Sequence, residues 1–229
     1  MSEFWSYGVT TVPQRVKTLL PRTLASLAMA GFDSPHLFID GLADAKGIKG
    51  ITSVSQRDQQ IGAFGNWILA AWELYIRSPQ ARLYAIFQDD LIMCKGVKKY
   101  LEQLEYPKDG YLNLFTFASN EIIISTKPRG WHKSDQTGKG AVALVFSHEV
   151  MYTLLQQSHM VNKPQLPKGH KNIDGAVSHA LVTQAHLTEY IHKPSLVQHI
   201  GCVSTLDNPK HPDAKTFPGE GFNVVKEMA

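Results

Sequence analysis

Two adjacent carboxylates, Asp89 and Asp90, directly follow an uninterrupted apolar run, and they constrain the fold more than any other feature of the chain. The run is Leu83–Phe87, Gln88 separates it from the acid pair, and apolar residues resume at Leu91. A short continuous apolar run is typical of a strand that is buried on both faces of a sheet. Because an unpaired ionised group is very costly to desolvate, the acid pair must lie where this strand meets water, a metal or a ligand.

The acid pair favours a ligand or metal site at the end of the strand. In open α/β sheets, ligands bind outside the carboxyl ends of the strands. Carboxylate oxygens are ligands that suit Mg²⁺ or Mn²⁺. On these residues alone, a solvated turn after a strand is an equally good interpretation, because short acidic motifs are common in unrelated proteins.

A strand–helix–strand order before the acid pair predicts a parallel arrangement. Phe4–Val12 is apolar and β-prone, Pro21 suits the first turn of a helix that ends at Gly31, and His36–Ile39 is a second short strand. This order predicts a right-handed parallel crossover. We therefore predict an α/β fold of one domain, in which helices flank a mixed, mostly parallel central sheet.

The later elements continue this alternation. Residues 42–60 are polar and predict a loop, and residues 127–139 are the least regular stretch. We predict helices at 61–76, 97–105, 147–157 and 174–184, and strands at 111–117, 140–146, 187–192 and 195–200, with 121–125 paired beside the first. Prolines after residue 205 indicate a tail, so the predicted bounds are 1–204 for the domain and 205–229 for a tail that packs on or near the site.

The composition suits a globular domain in a reducing compartment. The chain has 229 residues, 43% of them hydrophobic, and a formal net charge of +3, which permits an anionic ligand without requiring nucleic acid. Two cysteines are too few for a disulfide framework or a thiolate zinc site. The sequence has no signal-peptide pattern and no apolar run of about 18 residues, so we expect a cytoplasmic protein without a membrane span.

Four motifs in a fixed order give the sequence a resemblance to one enzyme family. Gln88-Asp89-Asp90 comes first, followed by Gly138-Lys139-Gly140, Asn172-Ile173-Asp174 and Lys193-Pro-Ser-Leu-Val-Gln-His-Ile-Gly201. Their order resembles that of nucleotide-sugar-dependent glycosyltransferases of the GT-A (Rossmann-like) fold. The last motif is similar to a segment of the branching N-acetylglucosaminyltransferases, and Val9–Arg15 is similar to the family's first strand and nucleotide loop.

The resemblance implies a nucleotide-sugar donor, most simply a UDP-sugar, and a bound Mn²⁺ or Mg²⁺. Asp90 and His199 would hold the metal, which neutralises charge on the departing diphosphate. Asp89 would face the sugar or a basic partner. Without the resemblance, His199 is one of 10 histidines and is explained equally well as an ordinary core or surface residue. The chain departs from the family pattern at Gln88, where an acid is common.

Asp174 is the candidate general base. An acceptor hydroxyl must lose its proton as it attacks the anomeric carbon, and a carboxylate within hydrogen-bond reach can take that proton. A helix-capping role for Asp174 is the simpler interpretation, and the two roles are compatible. A candidate base without a nearby nucleophile motif favours inversion by a single displacement.

Several polar residues are candidates for donor binding. A guanidinium such as that of Arg15 matches phosphate oxygens bidentately, although a surface arginine at a helix start is the alternative. Asn66 is a polar residue on an apolar helix and needs some partner. The full set of predicted donor residues is Thr10, Thr11, Arg15, Asn66, Gln88 and Asp89.

The predicted acceptor residues are Trp131, His132, Gly138 and Gly140. An aromatic ring such as Trp131 is a stacking platform for a sugar or a base. The alternative is a solvated basic loop with one anchoring tryptophan. The glycines would let the backbone approach a ligand, or they form an ordinary turn into a strand.

The acceptor itself is open between two classes. Basic residues in 127–139 and 162–171 favour DNA, with a hydroxymethylated pyrimidine of phage DNA as the hypothesis. A glycan or surface polysaccharide is the alternative. A non-catalytic nucleotide- or DNA-binding module is a different class of function. Nucleotidyl transfer or phosphoryl hydrolysis with two metals would normally need more acidic ligands than this pair provides.

Overall fold

Ten strands and eight helices occur in the part of the chain that the computed structural model describes, which is residues 4–161, 172–201 and 213–228. The strands are β1 (Trp5–Thr11), β2 (His36–Ile39), β3 (Ser53–Gln56), β4 (Leu83–Gln88), β5 (Leu91–Met93), β6 (Gly110–Asn113), β7 (Gly130–Lys133), β8 (Ala143–Ser147), β9 (Thr188–Lys193) and β10 (Val197–His199). The helices are α1 (Leu20–Ala30), α2 (Ala63–Arg77), α3 (Val97–Gln103), α4 (Ala118–Ile123), α5 (His148–Gln156), α6 (Ser158–Val161), α7 (Ile173–Ser178) and α8 (Val224–Glu227). None of these helices is long and apolar enough to span a membrane.

An eight-stranded mixed sheet forms the centre of the fold, in the order β3-β2-β1-β4-β8-β6-β9-β7. The strands β1 to β4 run parallel, β6 and β9 run in the same direction as they do, and β8 and β7 run opposite to their neighbours. β5 and β10 form a separate antiparallel pair. The prediction of a mixed, mostly parallel sheet flanked by helices is confirmed.

Helices cover both faces of the sheet, so the central strand β4 is buried from both sides. Leu83, Ala85 and Phe87 belong to the core that contains α1 and α3. Tyr84 and Ile86 belong to the opposite core, which contains α2, α5 and α7. All five side chains are at most 2% exposed. The apolar run therefore forms the doubly buried strand that its composition predicts.

Local signals place the first crossover as expected. Pro21 lies in the first turn of α1, and Gly31 ends the helix with a φ of +97°. Glycine adopts this left-handed conformation without a steric penalty, so it ends the helix cleanly. The helix lies between β1 and β2, which pair in parallel.

Two predictions in the first half of the chain are wrong. Residues 42–60 contain a strand, β3, which pairs with β2 at the edge of the sheet. β3 reads Ser-Val-Ser-Gln and is partly exposed, because an edge strand buries little apolar surface and needs no apolar run. Residues 121–125 form no strand, since α4 covers Ala118–Ile123. Ile122 and Ile123 are exposed on this helix, so two of the three isoleucines that suggested a strand lie in solvent, and only Ile124 is buried.

Two further predictions differ from the structure. The predicted strand 111–117 stops at Asn113, whose side-chain oxygen accepts a hydrogen bond from the Phe115 N–H at 3.1 Å. This local bond competes with the hydrogen bonds between neighbouring strands, and β6 ends at Asn113. The irregular stretch 127–139 contains the edge strand β7, which pairs antiparallel with β9.

Residues 213–228 pack back onto the domain. The Ala214 N–H donates to the side chain of Gln198 at 2.8 Å, next to His199 in sequence. The Glu121 carboxylate accepts from the backbone N–H groups of Lys215 at 3.0 Å and Thr216 at 2.7 Å. The start of the predicted tail, residues 205–212, lies outside the described residues.

His192, at the end of β9, is completely buried. Its Nδ1 lies 2.6 Å from the Pro194 carbonyl oxygen, and its Nε2 lies 3.1 Å from the Tyr100 hydroxyl. Because the carbonyl can only accept, Nδ1 carries the proton and Tyr100 donates to Nε2 of the neutral ring. Trp131 packs edge-on against the ring at 4.8 Å. Burial lowers the pKa of His192 to about 4, although the Pro194 carbonyl opposes the shift.

We expect His192 to make the protein less stable in acid. Between its ordinary pKa of 6.5 and the folded value of about 4, the unfolded chain binds a proton here and the folded protein does not. Protonation therefore favours unfolding as the pH falls, by up to about 3 kcal/mol. Urea unfolding between neutral pH and about pH 4.5 should show a steeper loss of unfolding free energy in the wild type than in His192→Gln. Equal pH dependence in the two proteins would contradict this assignment.

Candidate functional site

Asp89 and Asp90 form a buried turn between β4 and β5, at the carboxyl edge of the parallel strands. They are 3% and 2% exposed, so the interpretation as a solvated turn is wrong. The Thr23 hydroxyl of α1 donates to the Asp89 carbonyl at 2.7 Å and accepts from the Leu91 N–H at 3.2 Å, which fixes the turn against the helix. Two carboxylates buried in this way need positive partners.

Arg15 forms ion pairs with both members of the pair. It ends a 3₁₀ turn, Pro13–Arg15, that directly follows β1. Its Nη1 lies 2.9 Å from Asp89 Oδ1 and 2.5 Å from Asp90 Oδ2, and its side chain is 13% exposed. The Thr11 hydroxyl donates to the other oxygen of Asp89. Three of the predicted donor residues, Thr11, Arg15 and Asp89, therefore converge on one point.

His199 reaches the acid pair from the far end of the chain. It lies on β10, which pairs antiparallel with β5, and the Ile200 N–H donates to the Asp90 carbonyl at 2.7 Å. The His199 Nε2 lies 3.1 Å from Asp90 Oδ2. A Cβ at Gly201 would lie 2.6 Å from the same oxygen, so only a glycine leaves room beside the carboxylate. The structure thus brings together the two predicted metal ligands.

Asp90 and His199 are two side chains of types that bind divalent metals. Asp90 Oδ1 is buried and has no hydrogen-bond partner among the described residues, which is costly for a carboxylate oxygen unless a cation completes it. A carboxylate with an imidazole is a donor set that suits Mn²⁺. No group of three His, Cys, Asp or Glu side chains that could hold a metal occurs within the described ranges. The remaining ligands of a metal held here would have to come from elsewhere, such as a diphosphate or water.

The two carboxylates differ in how readily they ionise. Burial raises the pKa of Asp90, but His199 and Arg15 outweigh burial and hold this pKa below its ordinary value. Burial and the charge of Asp90 raise the pKa of Asp89, against the hydrogen bonds from Thr11 and Arg15. Asp90 is therefore the more readily ionised member of the pair, and the ionised carboxylate is the form that binds metals.

Asp174 lies in the first turn of α7, and Asn172 is the residue that caps this helix. The Asn172 side chain accepts from the Gly175 N–H at 3.2 Å, so the interpretation of Asp174 as the cap is wrong. Asp174 Oδ2 accepts from the Gly140 N–H at 3.0 Å, and its Oδ1 accepts from the Gly175 N–H at 3.2 Å. Beyond α7 a π-helical turn continues the element to Gln184, the predicted end of the helix.

Gly138 and Gly140 hold the β7–β8 connection close to its neighbours. Their φ values are +67° and +75°, in the region that favours glycine. A Cβ at Gly138 would lie 2.4 Å from the Asp174 carbonyl oxygen, and one at Gly140 would lie 2.5 Å from the Phe115 ring. The space beside each glycine is thus filled by other residues of this chain. Contact of either glycine with an acceptor stays a prediction.

Gln88 connects the acid pair to the side of the site that contains Asp174. Its side chain donates to the Ala141 carbonyl at 2.7 Å, and its backbone N–H donates to the Val142 carbonyl at 2.9 Å. Ala141 directly follows Gly140, whose N–H binds Asp174. The acid pair and the candidate base therefore border the same edge of the sheet, at the end of β4 and just before β8.

Thr10 and Asn66 are buried in the framework beside this edge. The Thr10 hydroxyl donates to the Phe87 carbonyl at 3.3 Å. Asn66 is 1% exposed, donates to the Phe38 carbonyl at 3.0 Å and accepts from Arg57 Nε at 2.9 Å. The polar residue on α2 therefore finds its partners inside the protein, and donor binding by these two residues stays a prediction.

Trp131 and His132 lie on the edge strand β7 and not in a loop. Trp131 packs against His192 and the core on one face of the sheet, and His132 Nε2 lies 2.9 Å from the Pro128 carbonyl oxygen. These contacts support the interpretation of Trp131 as an anchoring residue. Stacking of an acceptor on either ring stays a prediction.

The basic residues around β7 are only partly neutralised. Lys139 pairs with Asp135 at 2.6 Å. Lys127, Arg129 and Lys133 are exposed and form no ion pair with any described residue. The basic segment 162–171 lies outside the described residues.

Two carboxylates that hold other parts of the fold in place were missed by sequence reasoning. Asp40 directly follows β2 and accepts from the N–H groups of Ile61 at 2.7 Å and Gly62 at 3.0 Å, which fixes the loop before α2. The position of Asp40 directly after a strand could have indicated that it lies at the carboxyl edge of the parallel strands. Glu189 lies inside β9 and is 2% exposed. A single acid within a short strand carries no such signal.

Comparison with solved structures shows the fold. The structure is similar to the crystal structure of GalNAc-T7 with UDP, GalNAc and Mn²⁺, with a TM-score of 0.54 and 12% sequence identity over 94% of this chain. The chain spans 44% of the length of that protein. A more distant similarity, with a TM-score of 0.47 and 11% identity over 86% of this chain and 90% of the other, is to a protein described as a glucose-1-phosphate thymidylyltransferase from Bacillus anthracis in complex with sucrose. No family model and no curated protein matches the sequence. The likeness to GalNAc-T7 identifies the α/β architecture as Rossmann-like, of the GT-A type.

Arg15→Met should lower the free energy of unfolding by about 3 kcal/mol, because it removes the cation from a buried charge cluster and keeps most of the side-chain volume. Urea unfolding at neutral pH measures the loss. The matched control is Arg22→Met, since Arg22 pairs with Glu220 and has 49% of its side chain exposed. That change should cost less than about 1 kcal/mol. Equal losses for the two variants would mean that Arg15 does not neutralise the acid pair.

Proposed function

We propose that this protein is a metal-dependent glycosyltransferase that moves a sugar from a nucleotide-sugar donor to an acceptor hydroxyl with inversion. The observation that carries the proposal is the Asp90 carboxylate. One of its oxygens contacts Arg15 and His199, and the other is buried without a hydrogen-bond partner in the described part of the chain. The shared fold with GalNAc-T7, whose structure holds UDP and Mn²⁺, supports the proposal.

Asp90 and His199 are the residues that would hold Mn²⁺ or Mg²⁺, and such an ion, when bound, stabilises the charge that develops on a departing diphosphate. Arg15 would bind the diphosphate oxygens of a UDP-sugar beside this pair, because a guanidinium forms strong charge-assisted bonds with phosphate. Thr10, Thr11, Gln88 and Asp89 are proposed as the remaining donor contacts, since they end β1 and β4 at the same edge.

Asp174 would accept the proton of the acceptor hydroxyl. As the hydroxyl oxygen attacks, its bond to the anomeric carbon forms. The bond between that carbon and the diphosphate oxygen breaks, and the nucleoside diphosphate leaves with the electron pair. A single displacement of this kind inverts the anomeric centre. The Gly140 N–H would fix the carboxylate that takes the proton, since it binds Asp174 Oδ2 at 3.0 Å.

For the acceptor, we propose the hydroxyl of a modified pyrimidine in DNA, and a glycan is the alternative. The exposed cations Lys127, Arg129 and Lys133 support a polyanionic partner. The pairing of Lys139 with Asp135 removes one cation from this surface. A cytoplasmic location, which is part of the proposal, would give access to phage or bacterial DNA.

Asp90→Ala should abolish metal-dependent donor binding. In a thermal-shift screen of nucleotide sugars with Mn²⁺, the wild type should melt at a higher temperature with its donor, because a ligand of the native state stabilises it. The Asp90 variant should show no metal-dependent rise. The control Asp44→Ala changes an exposed acid and should keep the rise. An undiminished rise in the Asp90 variant would remove Asp90 from the metal site.

Asp174→Asn should lower kcat by about 10²–10⁴-fold, the usual contribution of a general base, and leave donor binding unchanged. Because Asn172 caps α7 and also accepts from the Gly175 N–H, the amide can keep its oxygen toward Gly140, and the change should cost no more than about 1 kcal/mol of stability. Steady-state kinetics with the donor found in the screen, together with a donor titration, would measure both quantities. Turnover at the wild-type rate would exclude Asp174 as the base.

DNA binding should fall steeply with salt, because cations that contact phosphates release counterions. Fluorescence anisotropy with single- and double-stranded DNA at two salt concentrations tests this for the wild type and for Arg129→Glu and Lys133→Glu, which should bind more weakly. Absence of binding at low salt, or binding that both variants retain, would leave the glycan as the acceptor. DNA binding without sugar transfer from any donor would favour a non-catalytic binding module.

A further inference from the structure

Glu189 is a buried carboxylate that the proposed reaction does not use. It is 2% exposed on β9, in the middle of the sheet half formed by β6, β9 and β7. Three side chains donate hydrogen bonds to it: Ser134 Oγ at 2.6 Å, Asn113 Nδ2 at 3.2 Å and Tyr111 Oη at 3.2 Å. A buried network whose members are all satisfied fixes the positions of the groups that form it.

The network around Glu189 fixes the connection between β7 and β8, residues 134–140. The Ser134 hydroxyl gives its single proton to Glu189 and accepts from the backbone N–H of Gln136 at 2.9 Å. The Gln136 side chain donates to the Glu189 carbonyl at 2.8 Å and accepts from the Glu189 N–H at 2.9 Å. Asn113, which binds the Glu189 carboxylate, also donates to the Lys139 carbonyl at 3.0 Å. The connection is therefore held at residues 134, 136 and 139.

The same connection contacts α7 and the candidate base. The Ser178 hydroxyl donates to the Gln136 carbonyl at 3.1 Å, and Gly138 packs against the Asp174 carbonyl. The Gly140 N–H donates to Asp174 Oδ2 at 3.0 Å. Burial and the charges of Glu189 and Asp174 raise the pKa of Tyr111 well above its ordinary value, so both carboxylates lie near the same phenol.

We propose that Glu189 is a positioning residue for Asp174, acting through residues 134–140, and this rests on the proposed role of Asp174 as the base. Glu189 binds Ser134 directly and shares Asn113 with Lys139, the residue before Gly140. It therefore fixes the position of the Gly140 N–H, which orients the Asp174 carboxylate. Glu189 itself touches neither donor nor acceptor in this proposal.

Glu189→Gln is the sharpest test, because it keeps the size of the side chain and replaces one acceptor oxygen with a donor NH₂ group. Ser134 has one proton to donate and already accepts from Gln136, and Asn113 approaches the other oxygen with an NH₂ group. One orientation of the new amide places its NH₂ group against the Ser134 donor, and the other places it against the Asn113 and Tyr111 donors, so either orientation loses at least one hydrogen bond. We expect kcat to fall at least about tenfold, with the donor KM changed by less than about twofold. Amide hydrogen exchange at Gly140 should become faster.

Glu121→Gln is the matched control, since Glu121 is also a buried carboxylate with several donors but serves the C-terminal segment at Lys215 and Thr216. It should lower stability and leave kcat and the exchange at Gly140 unchanged. If Glu189→Gln fails to fold, Ser134→Ala provides the test. It removes the hydrogen bond between Ser134 and Glu189, so kcat should fall and amide exchange at Gly140 should become faster.

Unchanged kcat and unchanged exchange at Gly140 would overturn the proposal. A fall in kcat that Glu121→Gln reproduces would also overturn it, and so would an effect mainly on the donor KM. Either result indicates a general effect on the fold. If the wild type transfers no sugar from any donor, the proposed function has failed. The exchange at Gly140 still decides whether Glu189 sets the connection that holds Asp174.

Discussion

The structure depends on one electrostatic requirement, which is that two carboxylates buried side by side must be given positive charge. Asp89 and Asp90 end the central strand, where both faces of the sheet are covered by helices. Arg15 supplies the cation from the turn after β1, and His199 approaches from β10. Each partner comes from a different element, so the position of the acid pair ties the beginning, middle and end of the fold together.

The sheet divides the site into two halves that meet between β4 and β8. The parallel half, β3-β2-β1-β4, ends in the acid pair, Thr11 and Arg15, which form a concentrated charge cluster. The mixed half, β8-β6-β9-β7, holds Asp174 indirectly, through backbone groups and the network around Glu189. Gln88 bonds across the junction to Ala141. The acid pair with Arg15 and the carboxylate of Asp174 therefore lie along one edge of the sheet, on either side of the junction between β4 and β8.

The sequence predicts those parts of the fold that have local causes. The apolar run of β4 and the glycine that ends α1 each act within a few residues, and both are where the pattern places them. The edge strand β3 has no such signal, because its side chains are alternately half-buried and exposed and none is buried in a core. The apolar residues of α4 mislead for the opposite reason, since Ile122 and Ile123 lie in solvent.

Much less of the candidate site could be predicted. A resemblance in motif order suggests which residues matter, and the structure brings Asp90 and His199 within hydrogen-bond distance. The pairing of Arg15 with both acids and the burial of Glu189 depend on contacts between residues far apart in sequence. No local pattern encodes such contacts. The helix cap shows the same limit at short range, because Asn172 and Asp174 are both suitable caps and geometry alone selects the first.

The pairing of β10 with β5 has a consequence for the order in which the protein folds. Residues 197–199 must find residues 91–93 across the intervening chain, whereas the parallel pairing of β1 with β4 joins segments from its first half. Long-range pairings pay loop-closure entropy before they gain contacts, so they form late. A ribosome-bound chain can therefore assemble the acid pair with Arg15 well before His199 has been synthesised. Until then Arg15 is the cation that pairs with both carboxylates, and His199 joins the cluster only after β10 has been made.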